Sequence, residues 1–231
     1  MIIDHCDKTI SIKIVYFGPA FSGKTTSIKA LFAKFGKGNK LLSIESTVSR
    51  TLFFDYGTVT FQNEEWRLKI HIYTTTGQDF YYITRPVTLR AVDGVIFVVD
   101  SQKEVIERNL LSWKELISYF RECIDDIPIT VVFNKQDLSE KLDPENFLKE
   151  IKFYEYKNLK SEFTSAIHGE GIIECFENIL NSILKKYYNN SSKSKKLVKL
   201  LNFKLLGNTL LTNLMRANCI LLLKFMKGDI P

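Results

Sequence analysis

The feature that most constrains the fold of this chain is a glycine-bounded loop motif, Gly18-Pro19-Ala20-Phe21-Ser22-Gly23-Lys24-Thr25. It follows an alternating apolar run at residues 10–17 and precedes a segment with helical periodicity. The two glycines allow the backbone to turn so that consecutive N–H groups face inward and receive phosphate oxygens at the start of a helix. The motif therefore predicts a phosphate-binding loop between the first main strand and the first helix of an α/β fold.

Two side chains of this loop carry distinct chemistry. The Lys24 ammonium is expected to reach the outer phosphates and to serve catalysis, and the Thr25 hydroxyl is expected to ligate magnesium. The predicted phosphate contacts within the loop and the first helical turn are Gly18, Phe21, Ser22, Gly23, Lys24, Thr25 and Thr26.

Apolar runs of strand length alternate with segments of helical periodicity along the chain, which is typical of parallel α/β architecture. Residues 94–100 and 127–133 predict central strands, and residues 66–72 predict a strand paired as a hairpin with residues 58–61. A short strand is expected near residues 161–165, and helices are expected over 26–37, 104–124 and 171–187. The predicted fold is an open, mostly parallel sheet with one antiparallel edge strand and helices on both faces.

The charge of the chain is unevenly distributed. The net charge is +6, but residues 178–231 carry ten basic residues and one acidic residue, or +9, which leaves −3 for residues 1–177. The globular part is slightly acidic, so nucleic acid is not an expected partner. We divide the chain into an N-terminal segment (1–9), a main domain (10–188) and a basic, leucine-rich C-terminal extension (189–231) that is expected to be helical.

The four cysteines are far apart in sequence and lack the spacing of a metal site, so they are interpreted as reduced thiols. Acidic and basic residues near the N-terminus interrupt any secretory signal. These observations predict a protein that is either fully cytoplasmic or peripherally attached to the inner face of the membrane.

A second motif, Asn134-Lys135-Gln136-Asp137, follows the predicted strand at 127–133, at the strand end where α/β sheets bind ligands. An ionised Asp137 would accept hydrogen bonds from N1–H and the 2-amino group of guanine, whereas adenine presents an acceptor at N1. The Lys135 stem can pack on the base, the Asn134 amide can join the base loop to the phosphate loop, and the Ala166 N–H, next to Ser165, can face the guanine O6. The predicted base is therefore guanine.

A third motif, Tyr73-Thr74-Thr75-Thr76-Gly77-Gln78, lies between the other two. The Gly77 N–H can contact a terminal phosphate, and Gln78 can orient an attacking water. With these residues the chain resembles the Ras superfamily, and most closely the MglA-like family of bacterial and archaeal small GTPases, with Arf-like features in Val98-Val99-Asp100-Ser101. The resemblance covers roughly residues 10–187 and includes Arg50-Thr51-Leu52-Phe53-Phe54-Asp55.

The resemblance implies GTP as substrate, GDP as product and Mg²⁺ as cofactor, with a GTPase-activating partner of the roadblock type. It implies that Thr51 closes over the metal and that Arg50 is an arginine finger in cis; the alternative is that Arg50 is a solvated surface residue. Thr74 stands where most Ras-like proteins have Asp and would hold a metal-bound water. Either this change weakens magnesium affinity, or Asp100 compensates for it.

The expected function is a magnesium-dependent switch that binds and slowly hydrolyses GTP in spatial organisation or polarity of the cell. The alternatives are a GTP-loaded binding module with negligible hydrolysis and a tether that acts through its tail. Residues 195–206 and 209–226 carry aliphatic stripes that Asn213, Arg216 and Lys224 interrupt, which argues against a transmembrane helix. They predict an amphipathic helix on an anionic membrane or a helix packed on protein.

Overall fold

A mixed β-sheet organises the molecule. The computed structural model describes residues 1–35, 40–45, 51–62, 66–75, 84–189 and 204–205. The strands are β1 (Ile2–Asp4), β2 (Thr9–Phe17), β3 (Lys40–Glu45), β4 (Thr51–Gln62), β5 (Arg67–Thr74), β6 (Gly94–Asp100), β7 (Ile129–Asn134), β8 (Leu159–Phe163) and β9 (Lys204–Leu205). The main path of the sheet runs β3-β4-β5-β2-β6-β7-β8.

The five strands β5, β2, β6, β7 and β8 are parallel to one another. Strand β4 is antiparallel to both β3 and β5, and β1 is antiparallel to β2. The predicted mostly parallel sheet is confirmed, and its edge strand β3 pairs antiparallel with β4. Residues 1–9, expected as a separate segment, contribute β1 and the start of β2.

Five α-helices connect the strands within the described ranges. They are α1 (Lys24–Phe35), α2 (Thr84–Leu89), α3 (Ile106–Phe120), α4 (Pro144–Glu150) and α5 (Ile172–Asn189). The three predicted helices correspond to α1, α3 and α5, and α3 ends earlier than expected because the chain continues as a 3-10 helix over Arg121–Asp126. The short helices α2 and α4 were not predicted.

The alternation along β2 explains the two hydrophobic cores. Ile12, Ile14 and Tyr16 pack on one side of the sheet with α1 and α5, while Val15 and Phe17 pack on the other side with α3 and α4. Successive side chains of a strand point to opposite faces, so a strand covered on both faces is buried along nearly its whole length. Of the nine residues of β2, only Ser11 and Lys13 are partly exposed.

The two-residue strand β9 pairs antiparallel with Phe61 and Gln62 of β4. It falls inside the segment 195–206 for which a helix was expected, and at these two residues the structure has a strand instead. The other residues of the C-terminal extension lie outside the described residues, so their helical structure stays a prediction. Among the described helices, none has the length and apolarity that crossing a bilayer requires.

Candidate functional site

The candidate site lies at one edge of the sheet, where the carboxyl ends of the parallel strands meet. Strand β2 runs into the phosphate loop, β5 ends at Thr74, β6 ends at Asp100 and β7 ends at Asn134. Ligands of open α/β sheets bind at this edge because the loops that follow neighbouring strands converge there.

The phosphate loop depends on both of its glycines. Gly18 and Gly23 have φ angles of 140° and 97°, and Phe21 has a φ of 63°. A Cβ atom on Gly18 would clash with the carbonyl oxygen of Val98, and one on Gly23 would clash with the side-chain amide of Asn134. Substitution at either position would combine backbone strain with a steric overlap.

The Lys24 ammonium is held inside this loop. Its Nζ donates to the carbonyl oxygens of Gly18 (2.8 Å) and Pro19 (2.6 Å), and the residue is 6% exposed. Burial, and to a lesser extent the nearby charge of Arg85, lowers the pKa of Lys24 to about 7, although the Asp55 carboxylate acts in the opposite direction. A polyanion would stabilise the charged form of Lys24, so the loop fits a phosphate chain.

Other predicted phosphate contacts differ in exposure. Ser22 is fully buried, and its Oγ has no hydrogen-bond partner among the described residues. Phe21 is 61% exposed, and Thr26 is exposed in the first turn of α1. The buried Ser22 hydroxyl is a donor that a ligand in the loop could use.

A buried carboxylate that sequence reasoning did not select lies beside the predicted metal ligand. Asp55 on β4 is fully buried, and its Oδ2 accepts hydrogen bonds from Thr25 Oγ1 (2.6 Å) and Thr74 Oγ1 (3.0 Å). The Asp55 N–H in turn donates to Thr74 Oγ1 (2.7 Å). This oxygen-rich set suits Mg²⁺, because a threonine hydroxyl can donate its proton to a carboxylate and keep a lone pair for the ion.

Asp100 does not take part in that cluster. It is 3% exposed, and its Oδ2 accepts from Lys135 Nζ at 2.6 Å. The sequence-based idea that Asp100 compensates for Thr74 is therefore not favoured by the geometry, since Asp55 makes the contact with Thr74.

The guanine motif is joined to the phosphate loop through Asn134. Its Nδ2 donates to the Ser22 carbonyl oxygen (2.8 Å), as expected for a side chain that links the two loops. Its Oδ1 accepts from Thr164 Oγ1 (3.1 Å) and from the Ala166 N–H (3.0 Å). The Ala166 N–H is thus engaged with Asn134 in this structure, and its contact with guanine O6 stays a prediction.

Asp137 is exposed at the same edge, where a base could reach it. Ser165 Oγ donates to its Oδ1 at 2.6 Å. This hydrogen bond, followed by one from the backbone, lowers the pKa of Asp137 below its usual value. The carboxylate is therefore ionised and oriented, and it can only accept hydrogen bonds.

Some predicted site residues lie outside the described residues: Arg50, Gly77 and Gln78. The backbone of Thr51 begins β4, but its side chain is not described. Their proposed contacts with the metal, the terminal phosphate and the attacking water stay predictions.

Arg85 is a further residue that sequence reasoning did not select. It lies on α2, is 7% exposed, and forms an ion pair with Glu115 of α3. Tyr119 Oη donates to Glu115 Oε1 at 2.6 Å. The Arg85 guanidinium is a second buried positive charge, close enough to Lys24 to contribute to the lowered pKa of that lysine.

Comparisons with known proteins agree with this geometry. The sequence model of the ADP-ribosylation factor family matches residues 2–183. The mutual gliding-motility protein MglA of Myxococcus xanthus is 32% identical over 189 residues, which is 79% of this chain and 95% of that protein. The Ras-related protein Rab-5B of Plasmodium falciparum is 30% identical over 188 residues, covering 78% and 83% of the two chains. The Ras-related protein Rab-11A of Dictyostelium discoideum is 28% identical over 178 residues, covering 74% and 75%.

The match to the family model spans most of the chain and includes the phosphate loop, the Thr74 segment and the guanine motif. The chain therefore belongs to the ADP-ribosylation factor family, within the Ras superfamily of small GTPases, and it resembles MglA.

Proposed function

We propose that this small GTPase is a magnesium-dependent switch with slow intrinsic turnover that needs a partner for fast hydrolysis. The observation that carries the proposal is the hydrogen bond from Asn134 Nδ2 to the Ser22 carbonyl oxygen (2.8 Å), which joins a guanine-selective loop to a phosphate loop. One ligand that contains both guanine and a phosphate chain satisfies both loops at once.

In this proposal the residues of the phosphate loop bind and orient the nucleotide. The backbone N–H groups of the loop and Lys24 contact the phosphates, and Gly77 adds an N–H to the terminal phosphate. Asp137 selects guanine, while Ser165 holds the Asp137 carboxylate in position. Ala166 lines the base pocket next to Lys135.

The proposed metal ligands are the hydroxyls of Thr25 and Thr51. Magnesium, when bound, offsets the negative charge that develops on the phosphate oxygens. Asp55 supplies the anionic partner that Thr74 cannot provide, because it accepts a hydrogen bond from the Thr25 hydroxyl and leaves a lone pair of that hydroxyl free for the ion. This assignment supports a magnesium requirement despite the absence of an aspartate at position 74.

For hydrolysis, Gln78 is proposed to orient the attacking water and Arg50 to stabilise the transition state. An arginine finger increases the rate by about three to five orders of magnitude only when it reaches the transition state. We expect intrinsic turnover on the order of 10⁻⁴ to 10⁻² s⁻¹ and a large increase when a partner orders both residues.

From the similarity to the mutual gliding-motility protein MglA we further propose a role in the spatial organisation of the cell. An activating partner of the roadblock type is proposed from the family resemblance of the sequence. Binding of GTP would hold residues 46–57 and 74–85 in one arrangement that effectors distinguish from the GDP-bound one. The C-terminal extension is proposed to contact a membrane surface or a protein.

The test begins with the nucleotide that co-purifies with the protein, which should be GDP or GTP and should be released by a chelator of magnesium. Single-turnover hydrolysis of GTP is then compared for the parent, Gln78→Leu and Arg50→Ala, with and without a roadblock-type partner. Fast turnover by the isolated protein that Arg50→Ala leaves unchanged would contradict the proposal. Retention of intact GTP for hours even with the partner would favour the binding module instead.

A further inference from the structure

A pocket rich in lysine lies at the opposite edge of the sheet from the nucleotide site. It has a volume of about 420 Å³, and Lys157, Lys160, Lys185 and Lys186 line it together with Ser182. We refer to this set of residues as the basal lysine pocket. Pro128, which precedes β7, and Leu159, which begins β8, form its floor.

The distance from the nucleotide site follows from the sheet. Strand β7 runs from Ile129, next to the pocket, to Asn134 in the guanine motif. The five steps between these two residues rise by about 3.3 Å each, so the two sites are roughly 17 Å apart along the strand. The basal lysine pocket is therefore separate from the guanine and phosphate loops.

The charges in the pocket are unbalanced. The lining residues include four lysines and a single acidic residue, Asp126. The neighbouring Asp125 carboxylate accepts a hydrogen bond from the Lys157 N–H at 3.1 Å. Within the described part of the chain, none of the four lysines forms an ion pair.

The four lysines differ in their contacts and exposure. Lys186 Nζ donates to the Asp126 carbonyl oxygen and lies 5.9 Å from the centre of the Tyr187 ring. Lys157, Lys160 and Lys185 are exposed. The pocket thus combines one anchored cation with three that can adjust to an anionic surface.

The position of the pocket relative to the C-terminal extension narrows the choice of ligand. Lys185 and Lys186 belong to the last turns of α5, which ends at Asn189. Residues 190–231 follow directly and contain eight basic residues against one acidic residue, with many leucines. The basic, leucine-rich segment thus begins beside the basic pocket. This arrangement favours an anionic membrane, which has a broad charged surface and an apolar interior, over a small soluble anion as the ligand.

We propose that the basal lysine pocket binds the headgroups of an anionic membrane and orients the domain with its nucleotide site facing away from the lipid. The inference extends the proposed membrane contact of the C-terminal extension to a surface of the folded domain, and it depends on neither nucleotide binding nor hydrolysis. Each lysine near an anionic bilayer changes the partition coefficient roughly fivefold, so the removal of two lysines should change it about 30-fold.

The test uses the full chain and vesicles of phosphatidylcholine with and without phosphatidylserine. Binding of the parent is compared with that of Lys157→Ala/Lys185→Ala and of a control with the same charge change, Lys114→Ala/Lys149→Ala. The control lysines are exposed on α3 and α4, and neither of them lines the pocket. Retained binding of GDP and an unchanged melting temperature establish that each variant is folded.

The proposal expects binding only to vesicles that contain phosphatidylserine, a fall of about 30-fold in the pocket variant, and a much smaller fall in the control. Equal falls in the two variants would mean that net charge alone drives binding, and would overturn the proposal. Vesicle binding that the pocket variant leaves unchanged would overturn it too. In that case, inositol hexakisphosphate that bound the parent in solution and bound the pocket variant more weakly would assign the pocket to a soluble polyphosphate instead of a membrane.

Discussion

Replacement of Asp55 by asparagine tests whether a carboxylate on β4 supports the metal site. The substitution keeps the size and shape of the side chain and removes its charge. In the structure the Asp55 carboxylate accepts hydrogen bonds from Thr25 (2.6 Å) and Thr74 (3.0 Å). Asparagine can accept the same two hydrogen bonds, so the change isolates the contribution of the negative charge.

The magnitude follows from these contacts. A hydrogen bond to an ionised acceptor contributes about 1.5–3 kcal/mol, against about 0.5–1.5 kcal/mol for a neutral one. Loss of charge therefore costs about 1 kcal/mol per hydrogen bond, or about 2 kcal/mol for the two. Groups that orient a metal ligand change metal affinity by about 10–100-fold, which is a similar free energy. We expect Asp55→Asn to raise the magnesium concentration required for tight GDP binding by about 10–100-fold.

The assay is release of a fluorescent GDP analogue across a magnesium titration, and the midpoint of the titration is the measured quantity. Asp100→Asn is the matched control, because Asp100 is also buried at the end of a strand but pairs with Lys135. The control should release GDP faster at every magnesium concentration without a shift in the midpoint. The reasoning is refuted if Asp55→Asn leaves the midpoint unchanged, or if Asp100→Asn shifts it more.

Two further changes test the base site and the packing of α5. Ser165→Ala removes the hydrogen bond that orients Asp137 and should weaken GDP binding by about five- to tenfold. Ser118→Ala on α3 is the control and should leave GDP binding unchanged. Equal affinities of the parent and Ser165→Ala for GDP in calorimetry would contradict the role of Ser165 in orienting Asp137. Glu177 is 6% exposed, and its pKa is raised by burial and by Glu174, so the charged form destabilises the fold at neutral pH. Glu177→Gln should therefore raise the free energy of unfolding by about 1 kcal/mol at neutral pH. That gain in stability should be complete above the pKa of Glu177 in the folded state, and it should disappear as the pH falls towards 4.5, the ordinary pKa of a glutamate. A gain in the free energy of unfolding that does not depend on pH in denaturant titrations would refute the argument.

The phosphate loop and the guanine motif could be predicted from the sequence because each is local. In both, a strand, a turn and the chemically active side chains follow one another directly, and the carboxyl ends of parallel strands meet at one edge. The main strands were predicted for a similar reason, since β6 and β7 are buried on both faces and consist of nearly continuous apolar residues. Their observed boundaries differ by no more than two residues from the predicted ones.

Asp55 and Arg85 could not be selected in this way because their roles depend on tertiary contacts. Asp55 meets Thr74 only through the antiparallel register of β4 and β5, which pairs Tyr56 with Tyr73. Arg85 meets Glu115 through the packing of α2 against α3, and α2 has only six residues, too few for helical periodicity to be recognised. One signal was present in the sequence: Asp55 is an isolated carboxylate in a run of apolar and aromatic residues, which is unusual for an exposed position.

Here the carboxylate of the proposed metal site comes from position 55, whereas most Ras-like proteins have it at position 74, and this difference leads to a final prediction. Thr74→Asp would restore the aspartate that most Ras-like proteins have, yet here it would place a second carboxylate against Asp55, whose Oδ2 lies 3.0 Å from Thr74 Oγ1. An uncompensated buried charge costs about 3–5 kcal/mol, so Thr74→Asp should destabilise the fold by that amount in the presence of a magnesium chelator. The double variant Thr74→Asp/Asp55→Asn has one carboxylate again and should recover most of the loss, because the two positions are in contact and their effects are not additive. Additive losses in chelator-treated unfolding experiments would show that the two side chains do not share one charged site, and that Asp55 has a purely structural role in β4.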